Sequence, residues 1–364
     1  MTALAERIKG RIRSEGPMTL SAFMAEALFD PTEGFYATRD PIGAGADFVT
    51  APEISQMFGE LIGLWCVQAW RDMGAPPRLS LIELGPGKGT MMADMLRAAR
   101  LDPDFVRAAR VFLVEASPAL KTVQGRSLEA SPCPIAWIGA VEDAPETPAL
   151  IVGNEYLDCL PIRQFLMTPD GWRERLAGLD PDGERVAYVL SNAAPHPDDV
   201  ALIPESLREA EPGTVAEIRP ASAPLAAHLG ERFATKPGRA LFIDYGPAQS
   251  EGGDTLQAIA KHEKTDPLAE PGGADLTARV DFAALADAAR AAGLDVAGPV
   301  TQAAFLTALG VEHRAAALSQ KQEGAERSKI ARQLFRLTGD DQMGALFKAI
   351  CLSSEGLPAP AGFA

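Results

Sequence analysis

The segment from Glu83 to Thr90 has the clearest chemical pattern in this sequence. An acidic residue is followed by glycine at alternate positions, Gly85, Gly87 and Gly89. An apolar stretch precedes the segment and a helical pattern follows it, and glycines at such a turn let the backbone come within contact distance of a ligand. Gly89 would let the helix pack close to the strand, and the Thr90 hydroxyl can cap the helix N-terminus. We therefore expect Glu83, Gly85, Gly87, Gly89 and Thr90 to bind a cofactor.

The spacing of these glycines distinguishes between cofactors. A dinucleotide-binding turn of the form Gly-x-Gly-x-x-Gly would need glycine at position 90, where this sequence has threonine. A phosphate-binding P-loop needs Ser or Thr directly after its lysine, but Lys88 is followed by Gly89. The acidic-x-Gly-x-Gly-x-Gly form instead fits a turn that binds S-adenosylmethionine, which presents an amino acid and a sulfur rather than a pyrophosphate. A glycine-rich strand-to-helix turn without a ligand stays open as the alternative.

Two acidic positions downstream are candidates for the rest of the same ligand. Glu115 follows the second apolar strand, and a carboxylate there can accept hydrogen bonds from both hydroxyls of a ribose. The alternative is a charge at the start of the helix near Ser117, which the helix dipole favours. Glu142 and Asp143 follow the third strand and are candidates for contact with the adenine, with a solvated acidic loop as the alternative.

The fourth strand leads into a segment suited to binding a methyl acceptor. It begins at Asn154 and carries Glu155, Tyr156 and Asp158. Glu155 and Asp158 are three residues apart, so in one helical turn they would share a face. Paired carboxylates can hold a planar guanidinium bidentately. The alternative is an acidic pair at a helix start, capped by Asn154.

Apolar runs that alternate with helical patterns would position these residues. The alternation predicts an α/β fold, with a doubly wound parallel sheet covered on both faces, whose carboxyl strand ends line a ligand crevice. The predicted strands are Leu79–Leu84, Arg110–Glu115, Ile135–Ile138, Ala149–Val152 and Ala240–Ile243. The predicted helices are Ala3–Arg13, Ser21–Leu28, Ile54–Trp70, Met91–Arg100, Pro118–Leu128 and one near Phe282–Ala292, with a glycine-rich loop at Gly252–Gly273.

Changes in this rhythm predict four parts of the chain. Residues 1–75 form an N-terminal helical region that contributes to the active site through loops around residues 30–36 and 47–53. Residues 76–169 form the first part of the core, and residues 238–364 form the second. Residues 170–237 are rich in Pro, Asp and Gly and are predicted to be an insertion or a sheet extension.

Composition and charge exclude several classes of function. The 364 residues are 47% hydrophobic and 23% charged, with a formal net charge of −15, which is too apolar for disorder and too acidic for a nucleic-acid substrate. An acidic surface suits a basic or arginine-bearing partner. No apolar run reaches the roughly 20 residues needed to span a bilayer. The scattered cysteines and histidines, four of each, predict reduced thiols and no metal site. The charged N-terminus does not resemble a signal peptide, so we expect a cytoplasmic protein.

With these motifs identified, the sequence resembles S-adenosylmethionine-dependent methyltransferases whose mitochondrial member is a complex I assembly factor that methylates arginine. Ala46, where glycine is expected, and Lys88, where the mitochondrial form resembles arginine, are mild departures. The resemblance covers nearly the whole chain and rests on Gly34-Phe-Tyr, residues 47–60, 83–90 and 154–161, Asp244-Tyr-Gly, Ala274-Asp-Leu-Thr-Ala, Val280-Asp-Phe and Gln302-Ala-Ala-Phe-Leu.

The resemblance implies a Rossmann-like class I methyltransferase fold. We expect a bacterial, cytoplasmic homologue, because the sequence shows no transit peptide. It implies S-adenosylmethionine as donor and S-adenosylhomocysteine as product. The implied acceptor is an arginine on the large quinone-side subunit of complex I, in a reaction that needs mainly alignment and desolvation. The candidate catalytic residues are Glu155, Asp158, Asn154 and Glu53, and the candidate donor-binding residues include Asn154 as well.

Three other functions stay open at this point. The first is methylation of a small molecule, which would need a closed pocket instead of an open groove. The second is an assembly or binding factor that holds the donor without turnover. The third is a nicotinamide dehydrogenase, which Thr90 disfavours.

Overall fold

The computed structural model describes residues 2–38, 50–260, 263–320 and 322–363. Ala46 and the first part of the predicted site loop, Asp47 to Val49, lie outside the described residues. The strands are β1 Met18–Thr19, β2 Leu79–Leu84, β3 Ala109–Val114, β4 Ile135–Ile138, β5 Ala149–Asn154, β6 Arg163–Thr168, β7 Gly171–Leu179, β8 Val186–Leu190, β9 Val215–Ile218, β10 Gly238–Tyr245, β11 Gln257–Ala260, β12 Glu263–Thr265, β13 Asp275–Thr277, β14 Asp295–Thr301 and β15 Phe347–Ser353. The helices are α1 Ala3–Glu15, α2 Leu20–Phe29, α3 Phe35–Thr38, α4 Ala51–Ile54, α5 Gln56–Asp72, α6 Thr90–Ala99, α7 Pro103–Ala108, α8 Pro118–Ser127, α9 Pro197–Ala201, α10 Ser222–Thr235, α11 Phe282–Ala291, α12 Gln302–Ala308, α13 Val311–Ser319, α14 Gly324–Thr338 and α15 Met343–Leu346.

A central sheet has the strand order β14-β15-β10-β5-β2-β3-β4. Strands β10, β5, β2, β3 and β4 are parallel, as the sequence predicted. The sheet is nevertheless mixed, because β15 runs antiparallel to both β10 and β14. All six residues of β2 are buried, since helices cover both faces of a doubly wound sheet. Strands β3 and β4 lie on one side of β2, and β5, the next strand along the chain, lies on the other. The strand order thus reverses at β2, and the glycine turn follows this strand.

The helix before the first parallel strand is held close to the helix after the glycine turn. In α5, a Cβ atom at Gly63 would lie 2.5 Å from the backbone oxygen of Met95 in α6, and one at Gly59 would lie 2.6 Å from the Cβ of Asp94. Only glycine allows two helix backbones to approach this closely. This packing fixes α6, which begins at the glycine turn.

Two smaller sheets lie outside the central one. Strands β1, β7, β6 and β9 form a sheet that β8 extends, and β12, β11 and β13 form a three-stranded sheet. Helices α1 and α2 contribute the apolar residues Ile8 and Phe23 to one core with Ala177 of β7 and Leu276 of β13. The prediction of a loop over Gly252–Gly273 is wrong, because this segment contains β11 and β12.

The segment 170–237 contains structures of two kinds. Strands β7, β8 and β9 belong to the second sheet, which also contains β1 and β6 from before the predicted boundary. Helix α10 instead packs on the central sheet, where Leu229 and Phe233 share a core with Leu285 of α11. The division of the chain into four parts stays a prediction. Within the described ranges, no helix is long and apolar enough to cross a membrane.

Candidate active site

A cleft opens at the carboxyl ends of β2 and β5. Its walls come from the glycine turn, from the start of α4 and from the end of β5. Seven of the residues predicted from the sequence line it: Glu53, Glu83, Gly85, Gly87, Thr90, Asn154 and Glu155. The parallel strands bring these residues together as expected for the ligand crevice of such a sheet.

The glycines of the turn are required by its backbone conformation. The φ angles of Gly85, Gly87 and Gly89 are 62°, 53° and 78°, which is the left-handed region that favours glycine. Two details predicted from the sequence are wrong. Gly89 is the N-cap residue and Thr90 is the first helical residue, so the Thr90 hydroxyl does not cap α6. A Cβ atom at Gly89 would make ordinary contacts of 3.5 Å with Gln124 of α8, so close packing against the strand is not what requires glycine there.

Two polar atoms at the cleft have no hydrogen-bond partner among the described residues. They are Oε2 of Glu83 and Oδ1 of Asn154. The Glu83 side chain is buried, and burial raises its pKa to about 8. A buried polar atom without a partner costs free energy. The cleft therefore suits a ligand that carries hydrogen-bond donors or a positive charge at this point.

The predicted ribose and adenine carboxylates both hold neighbouring backbone groups. Glu115 accepts hydrogen bonds from the Ser117 backbone N–H at 2.7 Å and from the Gln124 amide at 3.0 Å, and burial is the main reason that its pKa is raised. Asp143 accepts a hydrogen bond from the Ala140 backbone N–H at 3.0 Å. Neither carboxylate lines the cleft that the described residues form. The helix-start interaction of Glu115 is thus present, and the ribose and adenine roles stay predictions.

Glu155 does not lie in a helix. The helical turn that was expected to join it to Asp158 is therefore wrong, and so is the alternative in which Asn154 caps a helix. Residues 155–160 form bends and a turn, and Glu155 has a φ of 50°, which is rare for a residue other than glycine. Its Oε1 accepts hydrogen bonds from the Ala51 backbone N–H at 3.2 Å and from the Asn154 side chain at 3.1 Å. Burial, together with the negative charge of Asp158, raises the pKa of Glu155 to about 7.

Asp244, at the end of β10, holds the turn that carries Asp158. One oxygen of Asp244 accepts hydrogen bonds from the backbone N–H groups of Leu157 at 2.9 Å and Asp158 at 3.1 Å, and the other accepts one from Tyr245 N–H at 2.8 Å. Burial raises the pKa of Asp158 to about 6. Burial and the charges of Asp158 and Glu155 raise the pKa of Asp244 well above its usual range.

A fourth carboxylate belongs to the same group. Asp275, in β13, is buried and accepts a hydrogen bond from the Tyr36 hydroxyl of α3 at 2.8 Å, and its charge contributes to the raised pKa of Glu155. We call Glu155, Asp158, Asp244 and Asp275 the acid cluster. Sequence reasoning assigned no role to Asp244, Asp275 or Tyr36. All three lie in segments that resemble the family, and this resemblance is the signal that could have identified them.

Arg219 lies close enough to act on the acid cluster. The charge of Arg219 lowers the pKa of Asp158, against the larger effect of burial. Its guanidinium donates hydrogen bonds to the backbone oxygens of Leu160 at 3.3 Å and Ala278 at 3.1 Å. In the part of the chain that the structure describes, no group of three or more His, Cys, Asp or Glu residues is arranged to hold a metal ion.

Comparison with known proteins agrees with this fold. A family described as "Putative S-adenosyl-L-methionine-dependent methyltransferase" matches residues 61–300, and the chain belongs to this family. The chain is 34% identical to "Protein arginine methyltransferase NDUFAF7, mitochondrial" of Xenopus laevis, over 95% of this chain and 83% of the relative. The protein of the same name from Homo sapiens is 31% identical, over 97% of this chain and 83% of the relative.

A solved structure is similar over almost the whole chain. It is a Burkholderia thailandensis protein bound to S-adenosyl-homocysteine, with a TM-score of 0.83 and 27% identity over 99% of this chain and 94% of that one. The predicted α/β methyltransferase fold is confirmed, and S-adenosylmethionine is the cofactor. The left-handed glycines and the two unpartnered oxygens of the cleft fit a ligand of this kind.

Proposed function

We propose that this methyltransferase transfers the methyl group to the guanidinium of an arginine in a protein substrate. The observation that carries the proposal is the acid cluster, which shares Glu155 with the donor cleft. Burial raises the pKa of Glu155, Asp158 and Asp244, so the folded chain keeps these carboxylates together at a cost in free energy.

A guanidinium is the group that this cluster fits best. It is planar, positively charged and carries five N–H donors, so it can bridge two carboxylates bidentately. Arg219 does not fill this role, because its hydrogen bonds go to the backbone oxygens of Leu160 and Ala278. A bound arginine would place a positive charge beside Glu155 and Asp158, whose pKa values burial raises.

The chemistry assigns two tasks to the carboxylates. S-adenosylmethionine supplies an electrophilic methyl group on a positively charged sulfur. Glu155 and Asp158 orient the guanidinium so that one nitrogen faces the cleft, where its electron pair forms the N–C bond as the C–S pair returns to sulfur. The methylated nitrogen then loses a proton, and Glu155, whose pKa is about 7 before a cation binds, is positioned to accept it. Glu53, which also lines the cleft, is a third carboxylate for the incoming cation.

The donor side of the site is assigned in the same proposal. The glycine turn and Thr90 form the floor for the donor, and Glu83 and Asn154 offer their unpartnered oxygens to its amino group. Glu115 binds the ribose through the oxygen lone pairs that Ser117 and Gln124 leave available, and Asp143 lies beside the adenine.

The protein acceptor follows from the relatives, which are named protein arginine methyltransferases. A complex I subunit, which the resemblance implies, is the first acceptor to test. Cytoplasmic location stays a prediction from the sequence, and the named relatives are mitochondrial.

The test measures methyl transfer and donor binding separately on the same variants. Glu155→Gln and Asp158→Asn keep size and shape but remove the charges that bind a guanidinium. We expect methylarginine formation, measured by mass spectrometry on a lysate from cells that lack this protein, to fall about 100-fold or more. Affinity for S-adenosylhomocysteine, measured by calorimetry, should change less than about threefold, because the glycine turn is intact.

A buried carboxylate outside the site is the matched control. Glu60 accepts hydrogen bonds from Arg314 at 2.7 Å and Arg97 at 3.1 Å, so Glu60→Gln should lower the melting temperature and leave turnover per folded molecule unchanged. Normal methylarginine formation by both acid-cluster variants would contradict the proposal. So would methyl transfer only to the small-molecule fraction, or donor binding without transfer to any fraction.

A further inference from the structure

Gln124 is a buried amide that joins the two halves of the donor site. It lies in α8 and is 0% exposed. Its Nε2 donates hydrogen bonds to the backbone oxygen of Gly87 at 2.8 Å and to the carboxylate of Glu115 at 3.0 Å. One side chain therefore spans the glycine turn after β2 and the carboxylate after β3.

A third hydrogen bond determines which way this amide faces. The indole nitrogen of Trp137, in β4, donates to Oε1 of Gln124 at 2.7 Å. An indole can only donate, so it must face the amide oxygen and leaves both N–H groups for Gly87 and Glu115. If the amide were flipped, Nε2 would meet the Trp137 donor and Oε1 would meet two acceptors. The three partners thus allow a single orientation.

We propose that Gln124 is a positioning residue for the methyl donor, which fixes Glu115 and the glycine turn at Gly87 in one relative arrangement, and that Trp137 orients it for this task. The inference rests on the donor side of the proposed function, in which Glu115 binds the ribose. It does not depend on which acceptor is methylated.

The arrangement has a clear physical use. Glu115 follows a strand end, and its carboxylate can rotate about its side-chain bonds unless a second contact holds it. Ser117 N–H holds one oxygen at 2.7 Å and Gln124 holds the other, so the carboxylate is oriented before the ligand binds. Preorganisation of this kind increases affinity, because the ordering cost is not paid during binding.

The experiment measures binding of S-adenosylhomocysteine by calorimetry. Gln124→Met keeps the unbranched shape and removes both N–H donors, and we expect affinity to fall about tenfold, as for the loss of one hydrogen bond to a charged group. Trp137→Phe leaves the amide in place without its orienting donor, and a smaller loss of about threefold is expected. Trp137 is partly exposed, so this variant tests the inference even where Gln124→Met does not fold.

A double-mutant cycle distinguishes positioning from packing. If Gln124 acts through Glu115, adding Gln124→Met to Glu115→Ala should weaken binding by much less than it does in the wild-type protein. The matched control is Gln302→Met. Gln302 is also 0% exposed and donates to the Leu337 backbone oxygen at 2.8 Å, away from the cleft, so this change should lower the melting temperature without affecting donor affinity.

Three results would overturn the inference: unchanged affinity in both Gln124→Met and Trp137→Phe, full additivity with Glu115→Ala, or unchanged affinity in Glu115→Ala itself. Binding is measured without any acceptor. A failure to find methylarginine would therefore contradict the proposed function and leave this inference standing.

Discussion

Four residues at the cleft have backbone angles in the left-handed region, and one of them is not a glycine. Gly85, Gly87 and Gly89 reach positive φ at no steric cost, whereas Glu155, with a φ of 50°, stores about 1 kcal/mol or more of strain. Its backbone N–H donates to the Ile243 oxygen at 2.9 Å, and its carboxylate is held by Ala51 N–H. The surrounding contacts thus keep an unfavourable conformation at a residue that lines the cleft.

At this scale we predict that Gly87→Val abolishes binding of S-adenosylhomocysteine. Valine is branched and cannot adopt the φ of 53° without strain, and its side chain would enter the cleft that Gly87 lines. The control is Gly183→Val, in the turn between β7 and β8, where φ is 73° and a Cβ atom would have no neighbour within 4 Å. Both variants should lose stability, and only Gly87→Val should lose binding in calorimetry. Undiminished binding by a folded Gly87→Val protein would refute the prediction.

Among the elements, the segment after β5 depends on β10 for its shape. Glu155 and Asp158 occupy bends and a turn, and the carboxylate of Asp244 holds this turn by accepting the N–H groups of Leu157 and Asp158. The Ala278 N–H of the segment after β13 then donates to the Asp158 backbone oxygen at 3.0 Å. Contacts from β10 and from the segment after β13 thus determine where Asp158 lies.

We therefore predict that Asp244→Asn impairs transfer more than donor binding. Three backbone N–H groups point at the two oxygens of Asp244, and an asparagine would present an NH₂ group to at least one of them. Methylarginine formation should fall at least about tenfold, while affinity for S-adenosylhomocysteine stays within about threefold. Asp72→Asn is the control: it removes the partner of the buried Arg239 at 2.6 Å, so it should lower the melting temperature only. Equal activity of the two variants per folded molecule would contradict the prediction.

For the whole molecule, the acid cluster lowers the free energy of unfolding, and interactions elsewhere in the fold must offset this loss. Its members come from the central sheet, from the turn after β5 and from the three-stranded sheet, with Tyr36 of the N-terminal region bound to Asp275. Desolvated carboxylates that lie close together destabilise the fold unless they are protonated or a cation is bound. The central core and the N-terminal core must supply the compensating free energy.

This gives a prediction for stability against pH. The folded pKa of Glu155 is about 7, above its usual value of 4.5, so its contribution to stability is fully present below about pH 4.5 and is lost as pH rises through about 7. Glu155→Gln has no such loss, so without substrates it should be more stable than the wild type by about 1–3 kcal/mol at pH 8, and about equal at pH 4.5. Denaturant unfolding at the two pH values measures the difference. A wild type that is equally or more stable at pH 8 would show that Glu155 contributes to the fold.

The sequence by itself determined the elements whose signals are local. Strands β2 and β4 have the predicted bounds, and the turn from Glu83 to Thr90 lines the cleft, because an apolar run followed by glycines at alternate positions is readable in a short window. Tertiary structure decided the rest. Spacing alone predicted a helical turn for Glu155 and Asp158, whereas the structure has bends and a turn there, held by Asp244, which lies 86 residues after Asp158. Likewise Tyr36 and Asp275 are 239 residues apart, and only the packing of the N-terminal helices against β13 brings them together. The antiparallel pairing of β15 also depends on long-range contacts, which no local pattern records.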